Sequence, residues 1–486
     1  MTRSEVGRMR GGVALVLLGL GGAATEAAAQ SDQAAEPPAR PVYRTLHFEE
    51  DWSVLANPEA LPSHDFFDPI KYIRLDDRGF AWLSLGGQAR GRGEVWGGFN
   101  FGGKPGSGDP DDEFGLFRLM TSADLHVAWA RAFLELKSAL ATDVDLPGGS
   151  TTQQVDRLAI QNGFLEFAPP LPGGSDRRLV VRFGRQELLF GAQRLVSPSD
   201  WTNTRRTFDG ATVSLELWRW RVTGLWMRPV QVRQKDWNVH VDASAFYGIY
   251  ATGKIPGTDL GLDLYWLGNE RGRRTFGGTT GDEERQTFGG RTWGPIGATG
   301  IDFELEGAAQ TGNLGPGSIS AGMVSTELGW WLTDWRFAPR FHLNGDWASG
   351  DHRPGGVSGT FDPLFPFGHR YFGEIDVQGR SNVVAVSSGV ELRPLPGTTA
   401  AISVYHFWRA ERGDALYNAA EQVLRAGSRG RSRDVGTELD LVVGWQFDPH
   451  TLLEAGYAHY FPAEFITESG RDQSINFGYV SVQYTF

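Results

Sequence analysis

The chain has 486 residues and no cysteine, which excludes a disulfide framework and a thiolate metal site, and its formal net charge of −12 argues against a generic nucleic-acid-binding or acidic-polymer-binding surface. Its 65 glycines, 17 tryptophans and 12% aromatic content accompany a negative mean hydropathy. That composition fits a transmembrane β-barrel, whose strands are only half apolar, and a secreted β-sandwich or β-helix shares much of it.

Taken from the start, Arg3, Arg8 and Arg10 precede the apolar run "GGVALVLLGLGGAA", and "AAA" at 27–29 supplies the small residues of a cleavage site. The run is short for a bilayer span, so residues 1–29 read as a signal peptide with cleavage near Ala29. The polar, proline-bearing stretch 30–42 reads as a disordered lead-in, and 43–486 as one domain.

Period-two alternation then recurs along the chain. Leu179, Val181 and Phe183 alternate with Arg178 and Arg182, and Ile301, Phe303 and Leu305 with Asp302, Glu304 and Glu306. Phe341, Leu343 and Trp347 alternate with Arg340, His342 and Asp346, and Leu439, Leu441 and Val443 with Glu438 and Asp440. A polar face this rich in charge of both signs points to a water-filled lumen. The final stretch places Val480, Val482, Tyr484 and the terminal Phe486 on one face, the pattern of an outer-membrane strand handed to the barrel-assembly machinery.

Tight connections ("RPLPGTT", and "WRWR" at 218–221) contrast with glycine-rich stretches at 266–284 and 410–433, which read as long loops on the opposite rim. At about 25 residues per strand plus loop, the expected fold is an all-β transmembrane antiparallel β-barrel of about 16–18 strands.

Of the 46 basic residues, 41 are arginine. Arginine usage of this kind follows from a GC-rich genome or from a lumen whose guanidinium forks clamp carboxylates. The most pointed stretch is "DWTNTRRTFDG" at 200–210, where Arg205 and Arg206 lie between Asp200 and Asp209. On a strand, adjacent arginines would face opposite sides. Pro198 and Asn203 instead make this a connection between strands at 178–190 and 210–217, in which Asp200 and Asp209 hold the guanidinium planes. Two roles stay open for the arginines: lining a path, or bracing a loop against the wall.

Three blocks carry a family resemblance: "EEDWSVLANPEA" with "WLSLGGQARGRGEVW", then "GRQELLFGAQRLVSPSDWTNTRRTFDG", then "DWASGDHRPGGVSGTFDPLFPFGHRYFGEIDVQGRSN". In this order they resemble the alginate-export family of outer-membrane porins. The resemblance implies an 18-stranded barrel with an electropositive constriction that passes an anionic polyuronate out of the periplasm. It assigns Arg185, Arg194, Asp200, Arg205, Arg206 and Asp209 to the central motif, and Arg90 and Arg92 to the first strand. With Arg182, these are the candidate pore residues. Uptake of small anionic or sugar solutes is the alternative function.

Expected partners are the anionic polysaccharide or solute, outer-membrane lipid, the barrel-assembly machinery and periplasmic secretion proteins, with no nucleic acid and no cofactor. His369, Glu374 and Asp376 match no standard metal spacing and read as part of a packed, inward-folded loop. Asp282, Glu283 and Glu284 read as a solvated charge run rather than a calcium site. His406 and His459 lack a serine motif, so no enzyme is expected.

Overall fold

Alternating strands bury a charged face only by curling around it, and the chain does so. In the computed structural model, which describes residues 40–61, 63–103, 108–172, 177–352 and 356–486, eighteen antiparallel strands close into a barrel. The first is Ala81–Gly97 and the last Ile475–Thr485; they pair from Gln88↔Thr485 to Gly97↔Asn476. Gly87 and Phe486 complete the seam by exchanging both backbone hydrogen bonds, at 2.8 and 2.9 Å. The expected signal peptide and residues 30–39 of the lead-in lie outside the described residues.

The alternation sorts as lumen against lipid. On the strand Ile301–Leu314, Glu304 and Glu306 meet guanidiniums inside, while Leu305 is exposed outside. On Asp434–Gln446, Glu438 and Asp440 are buried, whereas Leu441, Val443 and Trp445 face outward. Trp129, Trp218 and Trp335 stand exposed in the short connections of one rim, where an aromatic girdle belongs.

Connections such as 128–129, 218–219 and 393–397 make that short-turn rim, and 187–207, 349–382 and 410–433 make the long-loop rim. One expectation is corrected. Residues 266–284 are not a long loop but the facing strands Gly261–Phe276 and Thr279–Pro295, joined at Gly277-Gly278. Both glycines have left-handed φ (56° and 76°), which lets a two-residue turn follow the strand twist. The acidic run at 282–284 therefore sits on a strand, with Glu283 buried among Arg271, Arg274 and Arg285.

The closed wall begins at Ala81, and before it the two-residue strand Ile73–Arg74 pairs with the first strand at Ile73↔Leu83 and Arg74↔Trp82. The stretch around Thr45–Phe48 enters the lumen from the short-turn side. Phe48 packs edge-on against Phe133 and Phe164, and His47 Nδ1 meets Glu135 Oε1 at 2.5 Å.

The long-loop half of the lumen holds an apolar core. Phe361, Leu364, Phe365 and Ile375 from the 349–382 loop join Leu195 and Val196 from the 187–207 loop. They pack on lumenal side chains such as Phe208, Met227, Phe246 and Phe407. Burying an aromatic of this size contributes about 2–3 kcal/mol, so the loops are held inside as firmly as a soluble core.

Candidate functional site

The loop 187–207 turns back on itself at four left-handed residues: Gly191, Gln193, Ser199 and Arg205 (φ 52°, 63°, 56° and 50°). Three of them are not glycine, so the loop's contacts must hold the conformation. Those contacts are chiefly the arginines.

Arg90, Arg92 and Arg118 project from the first two strands onto three consecutive carbonyls. Arg90 donates to the Asp200, Trp201 and Thr202 oxygens (2.8, 3.1 and 3.1 Å). Arg92 donates to the Trp201 oxygen at 2.8 Å and pairs with Glu94 at 2.7 Å. Arg118 donates to the Asp200 carbonyl at 3.0 Å and to its carboxylate at 2.8 Å. Burial works to raise the Asp200 carboxyl. Arg118, Arg205 and Arg90 outweigh it and hold the group well below the usual carboxylate range.

The paired arginines divide their work. Arg205 is fully buried and forks onto Glu187 (2.6 and 2.9 Å), donates to Asp200 at 2.9 Å, and reaches the Thr45 carbonyl of the inserted N-terminal segment at 2.7 Å. Among the described residues Arg206 has no carboxylate within 4 Å. It donates to the Ser197 carbonyl at 3.0 Å and the Pro366 carbonyl at 3.4 Å, which ties the two lumenal loops together. Backbone bonds reinforce this junction: Ser197 N–H to the Phe365 oxygen and Phe365 N–H to the Leu195 oxygen, both 2.9 Å. The junction is a short parallel ladder across the lumen.

Asp209 does not hold Arg206, as the sequence suggested. It lies on a strand directly opposite Arg185, which forks onto it at 2.7 and 2.8 Å. Arg182 likewise sits opposite Glu166, donates to it at 2.9 Å, and lies 4.4 Å from the Phe48 and Phe164 rings. Arg194 pairs with Glu304 and Glu306.

Between the ladder and the short-turn rim lies a cavity of about 1460 Å³. Of the candidate residues, Arg90, Arg92, Arg194 and Asp200 border it; Arg182, Arg185, Arg205, Arg206 and Asp209 do not. Its lining adds aromatic faces (Trp201, Trp293, Trp331, Tyr371), acids such as Glu374 and Glu454, and Arg370. The sequence reading passed over Arg118, Glu187, Trp201 and Arg370. Arg118 alone left a usable sign, as the lone charge within the apolar run "FGLFRLM".

His369 lies in the inward-folded loop, between Glu374 and Asp376, each 3.3 Å from a ring nitrogen. Burial opposes its charge, but Asp376 and Glu374 push the imidazole up to about 10, so it is a cation at neutral pH. Among the described residues no group of three or more such side chains is arranged to hold a metal ion. Ser403 borders the cavity, while His406 turns to Thr437 and Asp434 (2.7 and 3.1 Å).

The sequence model of the family described as "Alginate export" matches residues 81–480. A comparison with curated proteins finds no match. Among solved structures, Pseudomonas aeruginosa OccK2 (OpdF) is 11% identical, with 85% of this chain and 99% of that one covered and a TM-score of 0.55. OccK2 in complex with glucuronate is 12% identical, with 83% and 98% covered and a TM-score of 0.52. Acinetobacter baumannii OccAB1 is 10% identical, with 83% and 96% covered and a TM-score of 0.56. At these identities the likeness is one of fold.

Proposed function

Because the chain belongs to the alginate-export family and is a β-barrel of the bacterial outer membrane, we propose that it is a channel for carboxylated sugars. The observation that carries this reading is the cavity. It sets guanidinium donors beside indole and phenol faces, and acid side chains accept from sugar hydroxyls. The glucuronate held by OccK2, a barrel of the same fold, supports the same ligand chemistry.

Within this reading the candidate arginines take two roles. Arg90, Arg92, Arg194 and Asp200 shape the cavity, while Arg182, Arg185, Arg205, Arg206 and Asp209 brace the loops and wall. The family's description favours a second reading, outward passage of a polyuronate. Such a polymer would have to displace the loop ladder.

Single-channel recording in planar bilayers tests the proposal. Glucuronate should interrupt the current at lower concentration than glucose. Equal effects of the two sugars would remove the carboxylate from the argument, and a chain-length preference for oligouronates would favour the polymer.

A further inference from the structure

Six arginines border the cavity, and five are accounted for. Arg90 is engaged by three backbone carbonyls and Arg92 by Glu94 and the Trp201 carbonyl. Arg194 is held by Glu304 and Glu306, and Arg340 by Asp302 and Glu327 at 2.6 and 2.7 Å. Arg219 stands exposed in a turn at the mouth, where pairing with an anion contributes little. Arg370 remains. It is half-buried, and among the described residues no carboxylate lies within 4 Å of its guanidinium.

Its setting explains why. Three guanidiniums surround the Tyr371 ring: Arg194 at 4.4 Å, Arg380 at 5.3 Å and Arg370 at 5.7 Å. Arg194 is paired as above and Arg380 pairs with Asp346. Glu304 is shared already between Arg194 and Arg291, the latter at 2.7 Å. The phenol is itself fixed by its hydrogen bond to the Ala192 carbonyl. A rigid aromatic ring thus presents one guanidinium whose fork has no acid among the described residues to close on.

We infer that Arg370 is the carboxylate-receiving position of this cavity, and that the ligand is a sugar presenting one carboxylate to it, a monouronate rather than a dense polyanion. The inference rests on the channel reading above. A second carboxylate entering the cavity meets Glu374, Glu391 and Glu454, which repel it, and guanidiniums already closed by acids or backbone. Hydroxyls of the same sugar find acceptors in those carboxylates.

Calorimetric titration of the full-length barrel in detergent tests this with glucuronate, glucose and a triuronate. Wild-type protein should prefer glucuronate to glucose and bind the triuronate within about threefold of the monomer. Arg370→Gln should weaken glucuronate by about tenfold or more, as loss of a charged hydrogen bond does, while leaving glucose binding and heat-modifiable migration unchanged. Arg370→Met, which keeps the stem on Tyr371, carries the same comparison if the glutamine variant fails to assemble. Glucuronate affinity that survives both substitutions overturns the assignment of Arg370 while leaving the channel reading intact. Affinity that climbs about tenfold with each added uronate overturns the monouronate ligand. Wild-type protein with no preference for glucuronate over glucose overturns the channel's substrate class and this inference with it.

Discussion

His369 lies face to face with Trp201, ring centroids 3.8 Å apart and planes 10° from parallel. The Arg92 guanidinium sits 3.8 Å from the same indole, so one tryptophan joins the wall, one lumenal loop and the other. Both neighbours are cations, and such contacts contribute about 0.5–2 kcal/mol each. Trp201→Leu should therefore leave assembly intact and loosen the loop junction. Single-channel records of the variant should show more frequent open–closed transitions than wild type; unchanged records would mean the ladder alone holds the junction.

Arg205 and Arg206 should separate cleanly on substitution. Arg205→Gln leaves Glu187 buried without its fork, a loss of the kind that costs about 3–5 kcal/mol. The variant should lose its folded, fast-migrating form at a markedly lower temperature on unheated gels. Arg206→Gln removes bonds to backbone carbonyls and a guanidinium 5.6 Å from the Phe365 ring, and should cost about 1–2 kcal/mol, showing as altered gating in an otherwise stable barrel. Equal thermal losses would contradict this division.

Glu421 gives a pH dependence. Burial, reinforced by Asp362 against the Ser381 hydrogen bond, pushes its carboxyl up to about 8. The folded loop therefore holds a proton that an unfolded one, with the ordinary value near 4.5, releases. Docking stability falls as pH rises from about 4.5 to 8 and then levels off. Hydrogen exchange of residues 410–433 should speed up across that window beyond its intrinsic base catalysis. Glu421→Gln should flatten the excess; an unaltered profile would place the titration elsewhere.

The inserted N-terminal segment hangs on Phe48, whose ring contacts Phe133, Phe164 and Arg182. Phe48→Ala should cost the segment about 3–5 kcal/mol of docking. Limited proteolysis should then cut within 43–60 much faster than in wild type, with the barrel strands still protected. Equal cleavage rates would show that the His47–Glu135 and Arg205–Thr45 contacts suffice.

The wall of this protein was readable from its residues and the interior was not. Leu305 beside Glu304, or Leu441 beside Asp440, announces a strand between lipid and water because the two solvents impose a two-residue period. No comparable period governs a loop inside the lumen. Arg206 and Pro366 touch although 160 positions separate them, and nothing local to either marks the other. The run 266–284 misled because glycine-rich stretches usually mark loops; here Gly277-Gly278 serves a hairpin and the flanking residues extend it. For the site, the family motif pointed to the right loop but not to the division of labour among its arginines. Whether a guanidinium is closed by an acid or left open depends on which strands face it. Arg194 is buried and closed by Glu304 and Glu306 whereas Arg370 is half-buried and open, and sequence does not display the difference.

The ladder joining Ser197 to Phe365 also fixes an order of events. One half of it is attached to the fifth and sixth strands, the other to the thirteenth and fourteenth. The strands that carry both halves must be in place before the halves can meet, and joining segments so far apart along the chain is slow. The ladder therefore follows the wall strands on both sides of it rather than preceding them. A barrel whose two loops failed to meet would keep its wall and lose the ladder across its lumen, a leak in the envelope rather than a missing function.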